Sequence, residues 1–408
     1  MKIINGARYT GFELMDELTI INILLIGVFI IVLVLPFKVK KVEENLEVFL
    51  FICGITALSI SSFATVDGET FGWTSAIVVE ALTAPIMITT VAGIPKGIVQ
   101  IVLIVGLIIY VAHSRIQRGI QFLVNNVPIR VLVFCLICGL GLVSSIISAI
   151  LAAIILVEIV CALPLERPEK IGVTVISCFS IGLGAVLTPL GEPLSTITIS
   201  KLSGDPYYAG FWFLFDLLGI YVIPAVIVMG FIGVAFLSRQ GPPAGKLECK
   251  IVREKIRDVV IRAGKVYLFI MALVFLGEGF KPLILEYIVR IPSEALYWAN
   301  TVSAVLDNAT LAAAEIDPQL SEIQIKSALM GLLIAGGMLI PGNIPNIISS
   351  SKMGITSKEW AKYGLLLGFA FLVIFFGILF VPTYLGISLI SLSDKILLRR
   401  ASAHSNRQ

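Results

Sequence analysis

Charged side chains are scarce in this sequence: Asp, Glu, Lys and Arg together form 14% of its 408 residues, against about 25% in ordinary soluble domains. Hydrophobic residues reach 58% and the mean hydropathy is +1.00, more apolar surface than a soluble fold can bury. Histidine is scarcer still. With only His113 and His404, His-rich zinc sites and haem ligation are excluded. The apolar runs hold no H-E-x-x-H and no paired nucleophile and base, so an enzyme is not expected. The cysteines number six, and all but Cys249 lie inside apolar runs, where they serve as small hydrophobes. Cys135 and Cys138 form a C-x-x-C without a redox-fold context. No disulfide framework, redox centre, transition metal or other cofactor is therefore expected. The net charge of +3 gives no reason to invoke nucleic acid as a partner.

What the sequence has in abundance is the long apolar run. About 20 such residues cross a hydrocarbon core roughly 30 Å thick, so the chain has room for about ten spans. The runs are continuous, unlike the alternating strands of a membrane β-barrel. The fold class expected is an all-α polytopic membrane protein with the lipid bilayer as its surroundings. Residues 1–96 read as N-terminal transmembrane helices, with spans at 18–37, 46–66 and 73–90, and a fourth span follows at 97–112. Glu13, Asp16 and Glu17 precede the first run, unlike the cationic start of a secretory signal, so that run is expected to stay as a helix. The run 130–160 is long enough for a hairpin, with Ser144, Ser145 and Ser148 at its centre, and a re-entrant turn is expected there. The run 171–201 contains Thr188-Pro189-Leu190-Gly191-Glu192-Pro193. Two prolines and a glycine remove the amide donors a helix needs, so this helix should be broken. A span at 208–237 closes the unit.

Residues 238–263 change character. In and beside them, Arg239, Lys246, Lys250, Arg253, Lys255, Arg257, Arg262 and Lys265 oppose only Glu248, Glu254 and Asp258. That surplus of five exceeds the net charge of the whole chain, and the positive-inside tendency places this linker in the cytoplasm of a cell with the protein in its plasma membrane. Arg115, Arg118 and Arg130 then fall inside as well, whereas Lys38, Lys40 and Lys41 fall outside beside Glu43, Glu44 and Glu47. After the linker the order recurs within 264–382. A span at 264–281 is followed by a run with a polar centre at 296–316. A helix at 327–351, broken by Pro341-Gly342-Asn343-Ile344-Pro345, and a span at 364–381 complete the unit. Residues 383–408 form a C-terminal segment and basic tail whose side of the membrane is left unassigned. Placing Gly191 on Gly342, an offset of 151 residues, also superposes Ile197 on Ile348, Ser200 on Ser351 and Lys201 on Lys352. The segments 97–237 and 264–382 thus read as two repeats, each with three full crossings, a hairpin (130–160 and 296–316) and a broken helix. An odd number of crossings makes the copies inverted. Inverted repeats with interrupted helices point to a secondary transporter whose site lies where the breaks meet.

An ionisable side chain at membrane depth is costly unless it serves a pathway or a partner, so the acids inside the interrupted runs are the candidates. Asp307 leads, followed by Asn308 and Thr310, hard oxygen donors suited to a small alkali cation or a proton. Glu192 sits in the first break beside Thr188 and Ser195. Asn343 stands at the matching position of the second, with Asn346 opposite Ser195, so a carboxylate from one loop could face amides from the other. The alternative is that these Asn and Ser side chains cap helix ends. Ser148 either coordinates an ion or satisfies backbone at the hairpin bend. Pro189, Gly191, Pro193, Pro341, Gly342 and Pro345 shape the broken-helix loops. Glu158 and Glu315, late in the two hairpins, read as residues of a water boundary, and Glu80, His113 and Glu278 are weaker candidates. No Lys or Arg lies within 131–160, 171–200, 296–316 or 327–351. A site built from these pieces has acids and no fixed cation, which favours a cation as cargo.

At these residues the sequence resembles the ion transporter superfamily, which includes divalent-anion/sodium symporters, arsenite permeases and NhaD-type sodium/proton antiporters. The likeness is greatest to a group of predicted cation transporters. Thr188 to Pro193 is similar to the Thr-Pro-x-Gly break of that superfamily, and Leu306 to Ile316 to the Asp-Asn hairpin motif of the NhaD type. The resemblance covers residues 97–381. It implies two inverted repeats whose hairpins and broken helices meet at the substrate site, in a homodimer with an elevator-like transport domain. Asp307, Asn308 and Thr310 would form the second hairpin tip, with Thr188, Gly191, Glu192, Gly342 and Asn343 in the broken helices. The symporters' Ser-Asn-Thr tips are absent, and Ser148-Ala149 stands where a polar pair is expected, which argues against a bound dicarboxylate. The expected function is exchange of sodium, or a similar small cation, for protons by alternating access, with Asp307 holding cation and proton by turns. A sodium-coupled carboxylate or other anion transporter of the same superfamily is the alternative.

Overall fold

The computed structural model describes residues 2–4, 7–9, 11–43, 45–66, 69–86, 89–91, 94–97, 126–237, 256–304 and 308–384, with short helical pieces between 99 and 122. Fourteen principal helices organise this part of the chain. The first three are α1 (Gly11–Lys38), α2 (Leu46–Ser61) and α3 (Ser75–Thr83). The next five are α4 (Ile129–Ile147), α5 (Ala149–Ala162), α6 (Arg167–Ala185), α7 (Pro193–Lys201) and α8 (Phe213–Phe236). The remaining six are α9 (Ile256–Glu286), α10 (Ser293–Ala299), α11 (Asn308–Glu315), α12 (Glu322–Gly336), α13 (Ile344–Met353) and α14 (Ser357–Tyr384). Among the described residues, α4, α8, the stretch Val259–Glu286 of α9 and Ser357–Pro382 of α14 are long and apolar enough to cross a membrane. Leu18–Val32, α2 and α5 are shorter apolar helices. The protein is an all-α, membrane-embedded chain.

Two of the opening spans need correction. The helix expected at 46–66 stops at Ser61, and Thr65–Val66 pairs antiparallel with Glu69–Thr70. The span expected at 73–90 is only the nine-residue α3, which starts where the Thr74 side chain accepts a hydrogen bond from the Ile77 amide at 3.2 Å and ends two residues before Pro85. Beyond it Thr89–Val91 pairs with Ile94–Lys96, as β-branched residues favour. The second-half span begins at Ile256, inside the stretch read as linker. The rest of that basic linker, 238–255, and the tail 385–408 lie outside the described residues. Cys161, at the end of α5, is disulfide-bonded, which corrects its reading as a packing thiol: it sits at the helix end, half-buried, rather than within the packed core. Cys53, Cys135, Cys138 and Cys178 are free.

The interrupted runs fold as the prolines and glycines dictate. The run 130–160 is a helix pair hinged at Ser148, and α4 is itself long enough to cross the bilayer. Each broken helix starts with a capping box, Glu166 with Glu169 in α6 and Ser321 with Gln324 in α12, which satisfies first-turn amides. The breaks match residue for residue. α6 ends at Ala185 and α12 at Gly336, while α7 starts at Pro193 and α13 at Ile344, both pairs at the 151-residue offset. The N-caps Glu192 and Asn343 share one extended conformation, φ −156° and ψ 162° against φ −153° and ψ 148°.

Packing divides the helices into sets. α9 lies along α2, flanked by α1 and α3, and Val102 packs on Ile270 of α9. α4, α5, α6 and α8 form a second set, and α10, α11, α12 and α14 a third. The sets are joined crosswise: α5 packs against α13, and α11 against α7. Polar contacts pin both ends of α14. Arg167 donates to Glu359 from Nε at 2.9 Å and Nη2 at 3.1 Å and to the Gly354 carbonyl at 2.9 Å, while the Tyr384 hydroxyl donates to Glu294 at 2.6 Å. Because the Arg167 pair is largely solvated, Arg167→Ala should lower the unfolding free energy of detergent-purified protein by only about 1 kcal/mol. Arg167→Lys, lacking the two-pronged fork, should recover less than half of that loss in the same denaturation experiment.

Candidate functional site

Polar groups from hairpin and breaks converge because the breaks leave backbone without helical partners. At the first break the Ala149 amide, at the hairpin hinge, donates to the Gly191 carbonyl at 2.7 Å. A Cβ on Gly191 would lie 1.9 Å from the Ala185 carbonyl oxygen, so only glycine lets the chain fold back this tightly. The Thr188 hydroxyl donates to the Ser145 carbonyl and accepts from the Leu190 amide at 3.2 Å. Ser195 and Thr196 donate to the Glu192 carbonyl, at 2.7 and 3.3 Å, and Thr196 also to that of Pro189 at 2.8 Å. These hydroxyls hold the break together, which is the structural alternative for Thr188 and Ser195.

That scaffolding leaves Glu192 and Ser148 facing a cavity of about 200 Å³. The hinge contributes Ser148 and Ala149, the first break Leu190, Gly191, Glu192 and Pro193, and the second break Pro341, Asn343 and Ile344. Glu47 of α2 and Lys265, Val266 and Phe269 of α9 close it from the other side. Glu192 is 4% exposed, and its carboxylate makes no capping bond to α7 although it stands at that helix's N-terminus. Ser148 is 4% exposed with φ +80° and ψ 149°, a conformation that L-residues rarely adopt. Its buried Oγ has no hydrogen-bond partner. Ser148 thus brings a strained backbone and a hydroxyl without a protein partner to the wall of the cavity that Glu192 also lines, which keeps it a candidate ligand position.

Lys265 is the residue sequence reasoning missed. Its ammonium lies 2.7 Å from Glu47, and both line the cavity, so the expected site without a fixed cation is corrected. The cation arrives from α9, and the apolar runs of the hairpins and breaks gave no sign of it. With Glu47 and Lys265 opposed, Glu192 leaves the described ionisable lining with one net negative charge.

The remaining candidates gather at the second break. A Cβ on Gly342 would fall 2.5 Å from the Ser303 carbonyl and 3.0 Å from that of Ala304, so hairpin and break touch there as at the first break. Asn346 donates to the Gly336 and Leu339 carbonyls at 2.8 and 2.9 Å, the capping role, and does not line the cavity. Asn308 and Thr310 are buried in α11, with Asn308 Nδ2 beside Gly336. Pro345 turns its carbonyl toward the Cys178 thiol of α6 at 3.7 Å, which brings the two broken helices into contact. Asp307 lies outside the described residues. Glu80 accepts from Ser200 at 3.1 Å in a small polar cleft with Lys201 and Glu278, apart from the cavity. Glu315, read as a water-boundary residue, is half-buried, with its Oε2 enclosed.

Fold and cavity together define a class: a helical membrane-embedded protein with a small, mostly apolar chamber between broken helices that Ser148, Glu192 and Asn343 also line. Over residues 21–382 the chain matches the DUF1646 model, described as a protein of unknown function, and it belongs to that family. No curated protein matches it.

Proposed function

We propose that the protein is a secondary active transporter that exchanges sodium, or a similar small cation, for protons by alternating access. The observation that carries this reading is the cavity in which Ser148, Glu192 and Asn343 meet. It offers a carboxylate, a hydroxyl and an amide, hard oxygen donors for a small cation, and its described ionisable lining, Glu47, Glu192 and Lys265, sums to one net negative charge. A carboxylate that must lose its proton to bind the ion couples the two by competition. Transport then weakens as the pH falls and the carboxylates protonate.

The two-repeat reading is supported by the common 151-residue offset of helix ends and N-caps and by the crosswise packing of α5 on α13 and α11 on α7. In this reading 97–237 and 264–382 are inverted copies within about ten spans, Asp307 joins Asn308 and Thr310 at the second hairpin tip, and the linker faces the cytoplasm of a plasma-membrane homodimer. A second reading, sodium-coupled uptake of a carboxylate or other anion, is favoured by Lys265 in the cavity and by the N-termini of α7 and α13 at its wall.

The test is a panel of cations added to proteoliposomes with an imposed pH gradient. Sodium or a close analogue should dissipate the gradient, and Asp307→Asn should abolish the response. Indifference of the gradient to every cation, together with sodium-dependent uptake of labelled dicarboxylate, would replace the exchange reading by the second.

A further inference from the structure

Away from the cavity, the second half holds an acid the exchange scheme has not used. Glu315 is the last residue of α11, and Asn300 follows α10 in a 3-10 turn, Asn300–Ala304. The Glu315 carboxyl faces the Asn300 side chain. Asn300 is 1% exposed, and its Oδ1, its Nδ2 and Glu315 Oε2 are all buried without a completed hydrogen bond. α12 presses on the Asn300 side of the pair: a Cβ on Gly331 would lie 2.6 Å from the Tyr297 carbonyl oxygen and 3.0 Å from Asn300 Cβ. Neither Glu315 nor Asn300 lines the cavity that holds Glu192.

The charged groups on the elements packed against α11 are engaged elsewhere. On α9, Lys281 lies 3.8 Å from Glu278, and on α12 Lys326 lies 2.5 Å from Glu322. Lys201 of α7 stands among Glu278, Asp317, Lys281 and Glu80. Glu315 is thus half-buried as a residue, with one carboxyl oxygen enclosed, and its described partner is one neutral amide. Ionised there, its enclosed oxygen would lose hydration with no cation among the described residues to offset the loss. Protonated, it can donate to Asn300 Oδ1, and when ionised it can accept from Nδ2, so the same amide serves both states.

We propose that Glu315, held by Asn300, is a proton-carrying site separate from the cation cavity. Resting on the exchange reading above, this means that each cycle moves a proton that never competes with the cation, besides the one that does. The experiment finds the pH gradient that just balances a fixed sodium gradient in proteoliposomes with the membrane potential clamped. Losing one of two protons should about double the balancing pH gradient in Glu315→Gln, while Glu315→Asp, which keeps the carboxyl, should balance like the wild type. An unchanged balance point in Glu315→Gln overturns the proposal.

A wild type with no sodium-driven proton movement sinks the exchange reading instead, and labelling then decides the fate of Glu315. Dicyclohexylcarbodiimide, which reacts with protonated carboxyls in apolar surroundings, should modify Glu315 of the unaltered protein at acidic pH. Mass spectrometry should show a yield that falls as the pH rises and does not respond to sodium. Absence of Glu315 labelling at acidic pH, or its suppression by sodium, overturns a separate proton site whatever the variants do.

Discussion

Glu192→Gln should abolish sodium-driven proton movement while leaving the protein folded. Glu192 is 4% exposed and lines the cavity, and its carboxylate makes no capping bond to α7, where Ser195 and Thr196 donate their hydroxyls to the Glu192 backbone carbonyl. Glutamine keeps the shape and removes the charge. With Glu47 opposed to Lys265 at 2.7 Å, the variant's described lining falls from one net negative charge to none. At about 4 Å and an effective dielectric constant near 20, a carboxylate attracts a monovalent cation by about 4 kcal/mol. Loss of most of that attraction lowers cation affinity by two to three orders of magnitude, at roughly 1.4 kcal/mol per decade. Sodium titration of the purified variant by calorimetry, beside its melting curve, checks both halves of the expectation. A variant that melts normally and binds sodium as tightly as the wild type would remove Glu192 from the cation site.

Much of this architecture was legible in the sequence because it is written in residues with few conformations. Proline lacks the amide a helix interior requires, so Pro189 with Pro193 and Pro341 with Pro345 announced both breaks. Placing Gly191 on Gly342 anticipated that α6 and α12, and then α7 and α13, would end and start at matching residues. Glu192, Ser148 and Asn343 were candidates for a simple reason: a polar residue within an apolar run must be satisfied or used.

What was not legible depends on tertiary approach. Residues 73–90 are apolar enough to be read as a span, yet apolarity alone does not decide between a crossing helix and the short α3 followed by a strand pair. Lys265 looked like one more charge of the basic linker. Only the course of α9 past the hairpin carries it to Glu47 and the cavity. Glu315 is half-buried, in keeping with a place near a water boundary, but that its Oε2 is enclosed beside the Asn300 turn could not be read from sequence.

Gly184→Ala should unseat the site without touching it. A Cβ at Gly184 would lie 1.7 Å from the Gly141 carbonyl oxygen of α4, closer than any non-bonded pair tolerates. The atom it meets belongs to a helical backbone and cannot rotate aside. The two helices are also laced at this level. Ser144 donates to the Ile181 carbonyl at 3.1 Å and Ser180 to that of Ile137 at 2.9 Å, so α4 can retreat only by breaking both bonds. Overpacking of a core ordinarily costs about 1–3 kcal/mol, and a backbone clash flanked by two buried hydrogen bonds belongs at the upper end. Because Ser148 and Thr188 lie just beyond the contact on α4 and α6, any accommodation also shifts the hinge against the break. Transport should therefore fall even in molecules that still fold. Gly139→Ala is the control. It lies on the same helix with nothing within 4 Å of the added carbon, and replacing a helical glycine there should leave stability unchanged or raise it by up to about 1 kcal/mol. Thermal melting and exchange rates of the two variants, measured side by side, separate the effect of close approach from that of helix propensity. Equal behaviour of the pair would mean that α4 and α6 are not locked at this crossing and that the hinge is positioned by something else.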